Sequence, residues 1–291
     1  GRDVLLLAPR PYLGEDFCAT LRPCTRIADA KGGPLAARLG ARAGAVPVPL
    51  QIKRGLVQAL VDAGVRFLYG CLVTDVLVDA DGRPGGVVIA DRAGRQAVEA
   101  EVIVDASERA WTARCAGAPA AAWPDARVRF ARTVIGGAAP EADGERVRAV
   151  RALAPVADGG GGEASVWEVE LALRLASGDY VSLAQAEQTA RDLTCRPGQL
   201  RASECLRFVP PDPVCCQGAG QPANGWDAVC ADAFQVDGVE HVFVLGPAAG
   251  AGTGSAETGR NVDIVVDDEA DEAGEAAAGE TVAEAAGAAG E

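Results

Sequence analysis

The sequence predicts an α/β chain in which a parallel sheet carries an antiparallel three-stranded meander, with a further α+β region beside it. Three observations carry this prediction. Short runs that are apolar almost throughout, at residues 4–8, 102–104 and 241–245, suit strands of a parallel sheet covered on both faces. Asp79-Ala80-Asp81-Gly82 and Asp91-Arg92-Ala93-Gly94 put turn chemistry between three strand-like segments, which makes those segments a meander. Val169, Leu171, Leu173 and Leu175 alternate with Glu170, Ala172 and Arg174, the period of a strand with one wet face.

The elements follow in order. Residues 4–8 form the first strand, ended by Arg10-Pro11, and a long Gly/Pro/Ala/Arg-rich connection covers residues 12–49, with helical character near Leu35 to Leu39. Residues 51–63 predict a helix, because Ile52, Leu56, Leu60 and Ala63 share one face and Gly64 supplies the stop. A strand at 65–69 and the meander at 71–78, 86–90 and 96–100 come next. The buried strand Val102-Ile103-Val104 runs into Asp105-Ala106-Ser107, where Ser107 is the expected N-cap of a helix through Cys115. After an Ala/Pro-rich stretch, residues 127–135 read as a strand, residues 159–162 as a Gly-rich break, and residues 169–175 as the alternating strand. Ser182-Leu183-Ala184-Gln185 has the spacing of a capping box and opens a helix to about Leu193. The last strand, 241–245, ends at Gly246-Pro247.

Composition narrows the classes of function. A net charge of −14 argues against a nucleic-acid partner, since phosphates would be repelled over most of the surface. Part of that charge belongs to the tail from Asp267, which holds nine Asp/Glu and no Lys or Arg, and whose few large apolar residues predict a disordered extension. No apolar run reaches the roughly 18 residues of a membrane span, and no basic-then-apolar leader opens the chain. Nine cysteines without repeated spacing, in a chain of 291 residues, favour reduced thiols and a cytoplasmic location. The chain contains no methionine and starts Gly1-Arg2-Asp3 directly ahead of an apolar strand, which predicts an N-terminally truncated piece.

Taken together, this order resembles the FAD-dependent oxidoreductases with a glutathione-reductase-like FAD-binding domain. Residues 1–10, Gly1-Arg2-Asp3-Val4-Leu5-Leu6-Leu7-Ala8-Pro9-Arg10, are similar to that family's second strand. The meander at 65–78 resembles the stretch whose backbone meets the adenine, Val104-Asp105-Ala106-Ser107 resembles an Asp-Ala-Thr-Gly segment, and residues 239–250 resemble the closing strand and loop on the ribityl–phosphate side.

The resemblance implies a Rossmann-like parallel sheet with an inserted α+β substrate domain. Its divisions fall at residues 1–118 (first part of the FAD-binding domain), 119–236 (insert), 237–262 (closing strand and loop) and 263–291 (acidic tail). It implies FAD as cofactor and a small organic molecule as substrate, with Arg10, Gly14, Val73, Ala106, Ser107, Gly246, Pro247 and Gly250 as cofactor-binding positions. Departures accompany it: no Gly-x-Gly-x-x-Gly turn precedes Gly1, Ala8 stands where a ribose-binding acid is expected, and Pro247 stands where an acid often follows the closing glycine. These departures favour an alternative, a non-catalytic binding module of the same fold that no longer holds FAD.

Other readings compete at single positions. Gly250-Ala251-Gly252 after a strand has the look of a second dinucleotide turn. Only about seven residues separate Gly254 from the next strand-like run at 262–266, too few for a crossover of ~10–12, so a loop is the better reading. Cys205, Cys215, Cys216 and Cys230 suggest a thiol-rich metal protein only weakly, because the C-x2–4-C pairs of zinc sites are absent; no metal is expected. Cys18 is a candidate redox thiol by its place after the first strand. His241, the only histidine, reads as a strand edge rather than a base. Arg10 suits a phosphate or carboxylate equally with solvent, and Asp105 suits an Asx-type cap of the turn that follows it. No side chain stands out as a catalytic base, and the oligomeric state stays open.

Overall fold

The structure, a computed structural model, describes residues 2–21, 49–218, 231–246 and 248–251. The helical segment near Leu35, Pro247, the run at 262–266 and the acidic tail lie outside the described residues.

Chain order begins with β1 (Leu5–Ala8) and a single helical turn, α1 (Glu15–Cys18), inside the connection expected to be loop. Helix α2 (Pro49–Asp62) buries Ile52, and Leu56 from the same face packs beside it against Tyr12 and Phe17. Gly64 ends it at φ +66°, a conformation costly for a side chain, and the Val65 N–H returns to the Leu60 carbonyl. The chain enters β2 (Arg66–Tyr69), which pairs parallel with β1 in the register Leu5 to Arg66. The meander follows as β3 (Leu72–Val78), β4 (Pro84–Asp91) and β5 (Gly94–Glu99). Its first turn is tied by Asp79, whose Oδ1 accepts the N–H groups of Asp81 and Arg83.

Strand β6 (Ile103–Asp105) leads to the short helix α3 (Trp111–Cys115). Next come β7 (Arg127–Gly136), β8 (Val147–Ala157), β9 (Glu163–Arg174), helix α4 (Tyr180–Thr194) and β10 (Gln199–Ala202). The four strands make one antiparallel sheet in the order β10-β7-β9-β8. Val128, Phe130, Leu171 and Leu173 close a core under Ala186 and Ala190 of α4. Then β11 (Val214–Cys216), a 3-10 turn at Ala231–Phe234, β12 (Val242–Val244) and β13 (Ala249–Ala251) complete the described chain. β12 pairs parallel with β6, and β13 parallel with β11. Val87, Ile89, Ile103, Val214, Val242 and Val244 form the core beneath them.

The chain is therefore mixed α/β, with parallel and antiparallel pairings as expected, but the details differ. Among the described residues the parallel strands form three two-stranded pairs rather than one continuous sheet. Strand β8 was not anticipated. It is an edge strand whose residues are mostly wet, so Arg148 and Arg151 hide any apolar period. Helix α4 starts earlier than the capping box implied: Asp179 is the N-cap and accepts the Ser182 N–H at 2.7 Å. Residues 249–251, expected as loop, form a strand because β11 offers a free edge. His241 sits at φ +62° in the turn before β12, not in the strand. Among the described residues no helix is long and apolar enough to cross a membrane.

Candidate functional site

β6 and β12 end side by side. Val244 lies opposite Asp105, and the Leu245 N–H donates to the Asp105 carbonyl at 2.9 Å. This brings together three of the predicted positions, Ala106 and Ser107 after one strand and Gly246 after the other. The buried Asp105 side chain shapes the turn: Oδ1 accepts the Ser107 N–H at 2.9 Å and the Ser107 hydroxyl at 2.7 Å, and Oδ2 accepts the Ala113 N–H at 3.0 Å. Ser107 Oγ in turn accepts the Trp111 N–H at 3.0 Å. Ser107 thus bonds the first residue of α3, but the helix begins later than expected, after Ala110 at φ +50°. Ala106 is exposed, and a Cβ on Gly246 (φ +89°) would meet nothing within 4 Å. The paired strand ends therefore present a small, open backbone edge.

The remaining positions are placed otherwise. Arg10, just past β1, is engaged within the protein: Nε donates to Glu15 Oε1 at 2.8 Å and Nη2 to Cys205 Sγ at 2.7 Å. The Cys205 thiol donates to the same Glu15 oxygen at 3.2 Å, and burial, reinforced by Glu15, pushes the thiol up to about 12. Such a thiol stays protonated and is a poor nucleophile. Tyr12 donates to Glu204 Oε2 at 3.2 Å and carries the Lys53 ammonium 3.5 Å from its ring centroid. Cys18, the candidate redox thiol, is buried against Ile52, and burial raises its pKa as well. Gly14 adopts φ +83°, where a Cβ would stand 2.9 Å from Ile52 Cγ2 and 3.0 Å from Leu56 Cδ1; its smallness lets α1 meet α2. Val73 is half-buried in β3 opposite Ile89, and Gly250 is paired with Cys215 in β13. Pro247 lies outside the described residues.

Sequence reasoning missed the group next to Ser107. The Arg109 side chain is only 6% exposed, and its Nη2 lies 2.5 Å from Asp212 Oδ2. Arg114 joins them, donating from Nε to the Arg109 carbonyl at 2.8 Å and approaching Asp212 Oδ2 at 3.3 Å. The Arg109 guanidinium sits 5.2 Å from the Trp123 ring and 6.0 Å from the Trp111 ring. A Cβ on Gly178 would fall 1.6 Å from Arg109 Nη1, so the absence of a side chain there leaves room for the guanidinium. Among the described residues, Arg109 Nε and Nη1 and Asp212 Oδ1 are buried without a hydrogen-bond partner. No local pattern marks an ion pair whose members are 103 residues apart.

Glu108 keeps an exposed edge, yet crowding by protein atoms, with Glu15, Asp16 and Glu187 nearby, pushes its carboxyl up to about 7; Arg109 pulls the other way. A carboxyl whose folded pKa exceeds its unfolded value of 4.5 binds more protons in the folded state between those two values. Its contribution is therefore full below about pH 4.5 and is lost as pH rises toward 7. Glu108→Gln is expected to melt about 2–4 °C higher than the parent at pH 8 and level with it at pH 5. Parallel melting profiles from pH 5 to 8 would rule this out.

Comparison with known proteins adds a likeness to one family. Residues 16–147, which contain Ala106, Ser107 and the Arg109 turn, match the model of the FAD dependent oxidoreductase family. Over that stretch, somewhat less than half of the chain, the sequence is similar to the FAD-dependent oxidoreductases. FAD is the cofactor of this family. No curated protein matches the chain. Solved structures similar to this chain include CabE, an aromatic hydroxylase from angucycline biosynthesis, at 19% identity over 86% of this chain and 52% of that one, with TM-score 0.45. They also include the myxobacterial chondrochloren halogenase CndH, at 16% identity over 88% and 65%, with TM-score 0.45. L-proline dehydrogenase from P. horikoshii matches at 14% identity over 70% and 51%, with TM-score 0.38. The chain spans about half the length of the first of these. The residues present fit a flavin dinucleotide at the strand ends. There Ala106 and Gly246 leave backbone open to a planar or extended group, and the Ser107 turn is held rigid by Asp105.

Proposed function

We propose that this chain is the FAD-holding part of an oxidoreductase acting on a small organic substrate. The observation that carries the reading is that the family match includes the end of β6, which pairs in parallel with β12. Parallel strands that stop together leave a crevice beyond their carboxyl ends, the usual place for a dinucleotide in α/β sheets. Ala106, Ser107 and Gly246 are the residues that would hold the cofactor, with the backbone of Ala106 and Gly246 facing it and Asp105 fixing the turn. FAD, when bound, supplies hydride or electron transfer. The chain's own residues place it.

Within this reading, residues 1–118 and 237–262 form the FAD-binding domain and residues 119–236 the substrate domain inserted in it. The return of β12 to β6 after the antiparallel sheet is complete supports this split, although Val214, Cys216 and Val236 of residues 119–236 pack into the first core. Arg10 acts here as an organiser of Glu15 and Cys205, and Gly14 as a packing residue, so neither needs to reach the cofactor.

Titration of the purified chain with FAD, followed by quenching of flavin fluorescence, tests the proposal. Saturable binding in the micromolar range is expected. Gly246→Val, which fills the open edge with a branched side chain at positive φ, is expected to weaken it at least about tenfold, a loss of roughly 1.4 kcal/mol. Absence of saturation by the chain, or a Gly246→Val variant that binds as tightly, would overturn it.

A further inference from the structure

The four-stranded sheet carries a second feature that the flavin reading does not use. A cleft of about 330 Å³ opens at the end of β9, bounded by Arg127, Arg146, Arg174, Leu175, Gln185 and Thr189. We propose that this cleft binds a small organic carboxylate with an apolar body.

The first argument is electrostatic. Arg127 and Arg174 are direct register partners across β7 and β9, and like charges opposite each other on an antiparallel pair are unfavourable without a counter-charge. Arg146, from the approach to β8, adds a third cation to the same cleft. Three arginines and one carboxylate residue, Glu145, thus line the cleft, a cationic excess on a chain whose net charge is −14. The present partners of Arg146 and Arg174 are weak or replaceable. Arg174 Nη1 meets Asp125 Oδ1 at 2.8 Å, but Asp125 is 96% exposed, so solvent screens the pair and leaves it readily exchanged. Arg146 Nε lies 4.0 Å from Asp143 Oδ2, beyond hydrogen-bond length. Asp143 Oδ1 meanwhile accepts the N–H groups of Glu145, Arg146 and Val147. Arg127 is held in place by the Glu145 carbonyl at 2.8 Å and its carboxylate at 2.6 Å.

The second argument is the composition of the wall. Leu173, Leu175 and Ala186, which belong to the buried core, contribute apolar lining, and Gln185 and Thr189 of α4 contribute polar lining. Guanidinium forks pair with planar carboxylates through two parallel hydrogen bonds, and the apolar wall favours a ligand with a hydrocarbon body over a fully hydrated inorganic anion. The proposal rests on the sheet and α4 alone, so it stands or falls independently of FAD binding.

Isothermal titration of the whole chain with sodium benzoate, benzamide and inorganic phosphate, at one ionic strength, tests it. Benzoate is expected to bind saturably, and benzamide and phosphate at least about tenfold more weakly, the loss expected when the charge-assisted pair or the apolar contact is missing. Arg174→Gln and Arg146→Gln are each expected to weaken benzoate at least about tenfold. The Arg146 side chain is 54% exposed and outside the core, so that variant keeps the fold, which thermal melting verifies. No saturation by benzoate, equal binding of benzamide or phosphate, or unchanged binding by Arg146→Gln would each overturn the assignment.

Discussion

Arg109→Ala is expected to cost about 3–5 kcal/mol of folding stability, because it leaves Asp212 buried without its nearest cation. The pair already carries strain: two guanidinium nitrogens and one carboxylate oxygen lie buried and unpartnered, each at a cost of roughly 1–3 kcal/mol. The arrangement persists because it is held from several sides. Gly178 leaves room for Nη1, Arg114 braces the Arg109 carbonyl, and Trp111 and Trp123 flank the charge. Asp212→Asn keeps the shape and one acceptor and is expected to cost less than Arg109→Ala. Gly178→Ala places a methyl inside the guanidinium's space and is expected to displace it from Asp212. Urea unfolding of the three variants gives the order directly. An Arg109→Ala midpoint matching the parent's would show that the pair contributes nothing net.

Asp105→Ala is expected to cost on the order of 3 kcal/mol and to abolish FAD binding at concentrations that saturate the parent. Its carboxylate accepts three hydrogen bonds that have no other partner in the turn: the N–H and hydroxyl of Ser107, and the Ala113 N–H that ties α3 to β6. Asp105→Asn retains an acceptor oxygen, and a smaller loss of both quantities is expected. Chemical denaturation reads the first effect and flavin fluorescence the second. If Asp105→Ala unfolds with the parent, the turn is held by Ser107 and Trp111 alone. If it loses stability but binds FAD normally, the turn does not position the cofactor.

The legible parts of this protein are those where one short segment decides its own structure. Asp79 and the Gly82 turn mark the meander, because a carboxylate that caps nearby N–H groups leaves the same signature wherever it occurs. Gly64 marks the end of α2 for a similar local reason. The cap of α4 was displaced by three residues because Asp179 and Ser182 are both good capping residues. The choice was made by which side chain reached the free N–H: Asp179 accepts from Ser182, not the reverse. Strand β8 was invisible because it is an edge, wet on most of its residues, and its identity depends on β9 alongside it.

The candidate site divides the same way. Asp105, Ala106, Ser107 and Gly246 were legible as strand ends followed by small residues, and β6 and β12 do bring them together. Arg10 and Gly14 were legible as residues after a strand, but their partners Cys205 and Glu204, and the α2 face, arrive from far along the chain. The Arg109–Asp212 pair and the cleft of Arg127, Arg146 and Arg174 left no trace in local pattern at all. By itself, then, the sequence determined the periods, turns and caps, together with the likeness to a flavin-binding family, since these depend on neighbours within a few residues. Only the tertiary structure decided which charges are buried against each other and which cations share a cleft, since burial and ion pairing are set by elements that meet in space after long stretches of chain.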